Sequence, residues 1–155
     1  MLLLLGLIGL RTGTIISLNI EHIDLEAGSA WIQEKGRRQR QIVLPALIVK
    51  LLEPYLAQLP QAKGPLFLST RKKRISPRIL QDIFRSTADR LNIDKRLHAN
   101  LFRHTAATHL NKVAGTTITQ AVLGHGRRQN TLKYAHLNPD QYGLYMKRHP
   151  YMREV

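Results

Sequence analysis

Residues 100–110 read Asn-Leu-Phe-Arg-His-Thr-Ala-Ala-Thr-His-Leu, and Arg103 in their midst decides how the chain is to be understood. Leu101, Phe102, Ala106, Ala107 and Leu110 surround it with apolar or small side chains, which predicts a largely buried helix over 100–111. A guanidinium in such a helix needs an anion or several oxygen acceptors, because an unpaired charge out of water is costly. The partner is either an internal carboxylate or a bound phosphate, which arginine grips through two parallel hydrogen bonds. Carboxylates are scarce, with 10 Asp and Glu against 24 Lys and Arg. That scarcity weakens the ion-pair reading.

Working outward toward the N-terminus, Arg11 poses the same puzzle. It directly follows MLLLLGLIGL, whose residues 2–10 are apolar on every side and predict a buried helix. The run has no basic segment before it and no small-residue cleavage site after it, so it is not a signal peptide. It is also too short to span a bilayer. Its abrupt opening suggests that upstream residues were lost. Residues 14–20 read as a short helix. Residues 29–34 and 39–44 read as two strands of a hairpin around Lys35, Gly36, Arg37 and Arg38. Helical spacing follows over 46–57, with Pro54 kinking or shortening that helix. A loop to Lys73 contains a short strand at Leu66, Phe67 and Leu68. Ser76 and Pro77 form a good helix start, and that helix should run to about Arg90. Beyond 100–111, residues 116–123, 128–135 and 139–148 read as further helices. The fold class is mainly α with a small antiparallel β-sheet, in one domain of 155 residues.

The formal net charge is +14 and the pI about 10.8. Such a balance points to a polyanionic partner, most often nucleic acid. A membrane surface is the competing partner, but it calls for a basic amphipathic helix that the sequence does not offer. The surplus lies entirely from Lys35 onward. Before it stands only Arg11, against Glu21, Asp24, Glu26 and Glu34. No cysteine occurs, so there is no disulfide framework and no thiolate metal site. Clustered carboxylates that would hold a metal are also missing from the sequence.

Three more residues carry possible chemistry. His125 lies between Gly124 and Gly126, on an exposed turn after a helix. It is either a surface histidine or a phosphate ligand. Tyr134 is either a half-buried packing tyrosine or a nucleophile that holds a cut DNA end covalently. Lys35 tops the hairpin, with Arg37, Arg38 and Arg40 nearby. That run either forms a solvated face touching DNA backbone or lends Lys35 to a leaving oxygen as a proton donor.

The arrangement lifts the set above its separate readings. The motifs are Gly9-Leu10-Arg11, Glu34-Lys35-Gly36 with Val43-Leu44-Pro45, residues 101–110, Leu123-Gly124-His125, and Thr131-Leu132-Lys133-Tyr134-Ala135-His136. In their order, and in the nine-residue step from His125 to Tyr134, they resemble the tyrosine recombinases, which include phage integrases and Xer-type recombinases. The resemblance covers nearly the whole chain. It implies a catalytic domain that breaks and rejoins DNA. Tyr134 would form a 3′-phosphotyrosyl link, Arg11, Arg103 and His125 would hold the non-bridging oxygens, and Lys35 would protonate the departing 5′-hydroxyl. It implies no cofactor and no metal, double-stranded DNA as partner, and a cytoplasmic, nucleoid-associated setting. The apolar tail, with Tyr142, Leu144, Tyr145, Met146, Tyr151 and Met152, either docks on a neighbouring protomer, making a homo-oligomer on DNA, or docks on its own domain.

Two positions depart from the family pattern. Asn100 stands where the third motif usually has histidine, and an amide cannot accept a proton as a base. His98, two residues earlier, is a poor substitute. Thr14 stands where an acid usually follows the first arginine, so Arg11 is expected to be held less firmly. The chain is expected to be an N-terminally truncated catalytic domain, without the family's usual N-terminal helical clamp domain. Slowed cleavage is the expectation, and a DNA-binding relative from a decayed mobile element is the alternative. A relaxing topoisomerase of related chemistry ranks below both. Away from the site, Arg71, Lys72, Lys73 and Arg74 lead into the helix at Ser76 and form a second candidate DNA contact.

Overall fold

The computed structural model describes residues 1–34, 39–124 and 148. It is mainly helical with one three-stranded antiparallel sheet. The apolar opening forms a π-helical turn, Leu4–Ile8, with all five of its residues buried. Gly9 ends it in the left-handed conformation, at φ 70°. A side chain there is excluded twice over. The conformation disfavours a Cβ, and an added Cβ would lie 2.5 Å from a Leu123 methyl. This close approach brings the first helical turn against the last described one.

Arg11 is the N-cap residue of α1, Thr12–Ser17. The helix expected over 14–20 stops sooner, because Leu18 turns extended at φ −59° and ψ 135°. Its carbonyl accepts the Leu66 amide at 2.9 Å, and the Ile20 amide reaches the Gly64 carbonyl at 2.8 Å. Residues 18–20 are therefore stitched to 64–66. The strand expected at Leu66–Leu68 is reduced to isolated bridges, Asn19 with Pro65 and Leu68 with Arg74. A 3-10 turn, Ile20–His22, then leads into the sheet.

The sheet runs in the order β1, Ile23–Asp24, β2, Ser29–Gln33, and β3, Gln39–Val43. The hairpin of β2 and β3 agrees with the sequence reading. The edge strand β1 is an addition that the sequence pattern does not announce. Its turn is closed by the Asp24 carboxylate, which accepts the Ala27 amide at 2.8 Å, and by Gly28 at φ 58°. Ala30, Ile32 and Ile42 face the core, while Trp31, Gln33, Gln39 and Gln41 face outward. Ile32 pairs with Arg40, so the pleat puts that arginine on the core side.

α2 spans Ala46–Ala57 and continues through Pro54 without being shortened. The proline removes one amide donor, but Pro54 and Lys50, whose carbonyl loses that partner, are both exposed to water. α3, Pro77–Arg90, begins as the sequence predicts, with the Ser76 hydroxyl accepting the Ile79 amide at 3.3 Å. α4, Ala99–Leu123, joins the two helices expected over 100–111 and 116–123. Gly115, at φ 77° and ψ 170°, breaks it into two segments. The predicted helices over 128–135 and 139–148 lie outside the described residues, Arg148 excepted, as does the apolar tail with Tyr142, Leu144, Tyr145, Met146, Tyr151 and Met152.

The core lies where the opening turn, the sheet, α3 and α4 meet. Phe84 of α3 stacks on Phe102 of α4 with ring centroids 5.4 Å apart. The Phe102 ring packs close to Gly6, where an added Cβ would meet it at 3.4 Å, an ordinary contact. The helix around Arg103 is less buried than its composition predicts: Ala106 and Leu110 are inside, whereas His104 and Thr108 are exposed.

Candidate active site

Three arginines from three parts of the chain meet at the C-terminal end of α4. The carbonyls there have no amide partner within the helix and carry the negative end of its dipole. Arg40 Nη2 donates to the Val122 carbonyl at 2.8 Å, and Arg103 Nη2 to that of Leu123 at 2.7 Å. Arg11 Nη2 donates to the carbonyl of Gly124 at 3.1 Å. Arg103 Nη1 also donates to the Gly9 carbonyl, at the end of the opening turn. Arg103 thus bridges the ends of two helical turns. Among the described residues its guanidinium bonds to carbonyl oxygens, not to a carboxylate, which answers half of the question its sequence setting raised.

Among the described residues a single carboxylate, Glu34, enters the cluster. Its Oε1 accepts from Arg11 Nη1 at 3.2 Å and from Arg40 Nε at 3.0 Å. Among the described residues, three guanidinium groups against one carboxylate leave two positive charges in surplus. Burial holds the Arg103 proton more loosely than is usual for arginine, at about 10, and repulsion from Arg11 and Arg40 adds to this, while Glu34 partly offsets it. At neutral pH the group still carries its full charge. The cluster therefore has fixed, desolvated positive charge that an incoming anion would relieve.

Arg11 and Arg103, named for the phosphate, and Arg40, named as a DNA contact, are the candidates that the fold brings together. Asn100 sits one turn before Arg103 on α4 and is exposed. His98 is also exposed, and its Nδ1 accepts the Leu101 amide at 3.2 Å, which ties that ring to capping the helix. Thr14 is buried and donates its hydroxyl to the Gln33 carbonyl at 3.3 Å. The carboxylate that position 14 lacks reaches Arg11 from position 34. Lys35, Arg37, Arg38, His125 and Tyr134 lie outside the described residues. An open hollow of about 320 Å³ lies beside Arg11 and is lined by Gly13, Thr14, Ser17, Gln33 and Glu34 as well. Arg40 and Arg103 do not line it.

The sequence reading missed Glu34 and gave Arg40 the wrong neighbourhood. For Arg40 a signal existed, since it alternates with Ile42 and shares the inward face of β3. For Glu34 nothing in the local pattern marks a carboxylate at the end of a strand as the partner of two distant arginines.

The second candidate contact is built differently. Residues 69–73 make a tight turn in which the Ser69 amide reaches the Lys73 carbonyl at 2.7 Å and Lys72 adopts φ 56°. Arg71, Lys72 and Lys73 are exposed. Arg74 is engaged by the fold: its Nη1 donates to the carbonyls of Ile16 at 2.7 Å and Leu18 at 3.2 Å, and Nη2 donates to Asn19 Oδ1. Among the described residues no group of His, Cys, Asp and Glu could hold a metal ion, and no helix is long and apolar enough to cross a membrane.

The model of the phage integrase family matches residues 1–141. Over 135 residues the chain is 32% identical to the tyrosine recombinase XerC of Serratia marcescens, covering 84% of this chain and 44% of that protein. It therefore spans less than half the length of the curated relatives it matches. Its fold is similar to that of the XerA recombinase crystal structure, with a TM-score of 0.72 and 25% identity over 95% of this chain and 56% of that one. The XerH site-specific recombinase bound to its difH substrate has the same fold, at a TM-score of 0.65 and 22% identity, over 91% of this chain and 42% of that one.

Proposed function

The chain belongs to the phage integrase family, and on that premise we propose that it is the catalytic part of a site-specific DNA recombinase that cuts and rejoins DNA through Tyr134. One observation carries the reading. Arg11 and Arg103, far apart in sequence, bind the consecutive carbonyls of Gly124 and Leu123, next to His125 in the chain. Two forked cations held side by side match the non-bridging oxygens of one phosphodiester.

In this mechanism the Tyr134 oxygen attacks phosphorus, the bond to the 5′ oxygen breaks, and the 3′ end stays on the tyrosine. Arg11, Arg103 and His125 stabilise the charge on the phosphoryl oxygens. Lys35 gives the leaving 5′ oxygen its proton. Bond energy is kept in the protein–DNA link, so rejoining by the reverse attack needs no nucleotide cofactor. Asn100 donates a hydrogen bond to a phosphoryl oxygen or to the tyrosine but takes no proton, so the Tyr134 phenol gives its proton to water, which makes cleavage slow. Double-stranded DNA is the substrate; the similarly folded XerH site-specific recombinase was solved bound to its difH substrate. The C-terminal segment docks one protomer on the next when several assemble on DNA.

A second reading, a relative that binds DNA without cutting it, is favoured by Asn100 together with the capping role of His98. A randomised pool of duplexes, each nicked so that the cut fragment diffuses away, separates the two. The recombinase reading expects a covalent protein–DNA adduct, and Tyr134→Phe abolishes it. Tight binding with no adduct sinks the recombinase reading in favour of the second.

A further inference from the structure

The Glu34 carboxylate sits between two of the three arginines, and nothing in the proposed mechanism uses it. We propose that Glu34 is a positioning residue, which locks Arg11 and Arg40 into one rigid cationic seat and ties that seat to the end of β2. The inference rests on the recombinase reading of the same site.

Three features support it. One oxygen, Oε1, accepts from both arginines, so neither can turn without the other. Each of those arginines also holds a carbonyl at the end of α4, so the carboxylate completes a closed ring from β2 through Arg11 to Gly124 and back through Val122 and Arg40. The chain leaves a space for it: a Cβ added at Gly124 would lie 2.2 Å from Oε1 and 2.9 Å from Oε2. At φ 68° that glycine also takes a turn that other residues adopt at a cost. The carboxylate thus lies against the residue preceding His125, and its own backbone precedes Lys35.

The chemistry of the cluster explains the need. Arg11, Arg40 and Arg103 repel one another, and without a counter-charge the half-buried ends of Arg11 and Arg40 would swing toward water. Glu34 has a side-chain exposure of 18%, against 39% for Arg11, so it is the better-buried partner and sets the geometry of the pair. Preorganised cations gain rate because no reorganisation is left to the reacting complex. The same carboxylate lowers the net charge facing DNA. It therefore costs ground-state affinity while favouring the chemical step, and that opposition separates positioning from simple binding.

The test uses the full chain with Glu34→Gln and Glu34→Asp, on a nicked duplex recovered from the randomised pool. Adduct formation is timed at saturating DNA, and duplex affinity is measured separately. For Glu34→Gln we expect a rate at least ten-fold lower with affinity unchanged or higher, and for Glu34→Asp a partial recovery of rate. A rate within two-fold of the parent overturns the proposal. A faster rate also overturns it, since the carboxylate would then be a block on the phosphate seat. Rate and affinity falling together with a lost thermal transition point to a purely structural role and overturn it as well, unless Glu34→Asp folds and shows the rate loss alone. The Nε–H proton of Arg40 supplies a readout independent of cleavage. It should give a protected NMR signal in the parent protein and lose it in Glu34→Gln, and an unprotected parent signal sinks the idea. If the parent forms no adduct but the Arg40 signal responds, the recombinase reading fails while the positioning geometry stands.

Discussion

The arginines at the end of α4 and the basic turn at residues 71–73 carry the same kind of charge in opposite states. Arg11, Arg40 and Arg103 each reach a helix-end carbonyl, and two of them share a carboxylate. Arg71, Lys72 and Lys73 extend into solvent. The first group has paid its conformational entropy on folding, so it can define where a phosphorus atom must lie. The second keeps its freedom and can follow any phosphate backbone, but it specifies no position. Arg74 adjoins the exposed cations yet resembles the fixed ones, because its bonds to Ile16 and Leu18 anchor the turn to α1. Charge alone therefore separates neither role; the number of fixed acceptors around each cation does.

The largest effect expected from this contrast is at Arg103. Arg103→Lys keeps the charge but loses the fork that spans the Gly9 and Leu123 carbonyls, since an ammonium group is a compact point charge. Adduct formation at saturating DNA should fall by ~10²–10³-fold, in line with losing one preorganised donor to a developing charge. Cleavage within a factor of three of the parent would show that the fixed cluster does not contact the reacting phosphate. The orphaned carbonyl should also lower stability by about 1–3 kcal/mol, which a denaturant melt reads separately.

The same contrast explains what the sequence could and could not reveal. Arg103 was legible because a guanidinium among apolar neighbours poses a demand that only a few partners meet. The hairpin of β2 and β3 was legible from β-branched residues around a basic turn, and α3 from Ser76 and Pro77, whose capping chemistry is local. The early stop of α1 was not legible, because the competing hydrogen bonds of Leu18 and Ile20 come from residues 64–66. Arg74 reads as a DNA contact along with its neighbours, since the chain order of a basic run says nothing about carbonyls 56 and 58 residues away. Glu34 was hidden for the same reason. Pro54 did not shorten its helix: a proline inside a helix is tolerated where water satisfies the freed carbonyl.

A middle-sized effect is expected at the exposed cations. Replacing Arg71, Lys72 and Lys73 together by glutamine should weaken duplex binding about equally for all sequences. It should also flatten the plot of log affinity against log salt by about 0.9 for each phosphate that is no longer neutralised. Titrations at several salt concentrations test this. An unchanged slope would remove the turn from the DNA interface, and a change in sequence preference would give it a role that its freedom argues against.

The smallest effect concerns the proton on Arg103. Burial lowers its folded pKa to about 10, so above that pH the folded chain releases a proton that the unfolded chain still holds. Where the unfolded state binds more protons, stability rises with pH. The strain of keeping this cation half-buried is therefore fully present at neutral pH and is relieved as pH climbs past about 10 toward the ordinary arginine range. Lysines titrate in the same window, so the measurement is a difference. The unfolding free energy of the parent minus that of Arg103→Met should be flat from pH 7 to 9 and then turn in the parent's favour. Its size should stay under ~1 kcal/mol, because water and neighbouring carbonyls screen a half-exposed group. A difference that stays level through pH 11 would mean that the two carbonyls and Glu34 already compensate the charge in full. The excess positive charge at the end of α4, the property that separates it from the basic turn, would then be neutralised before any DNA arrives.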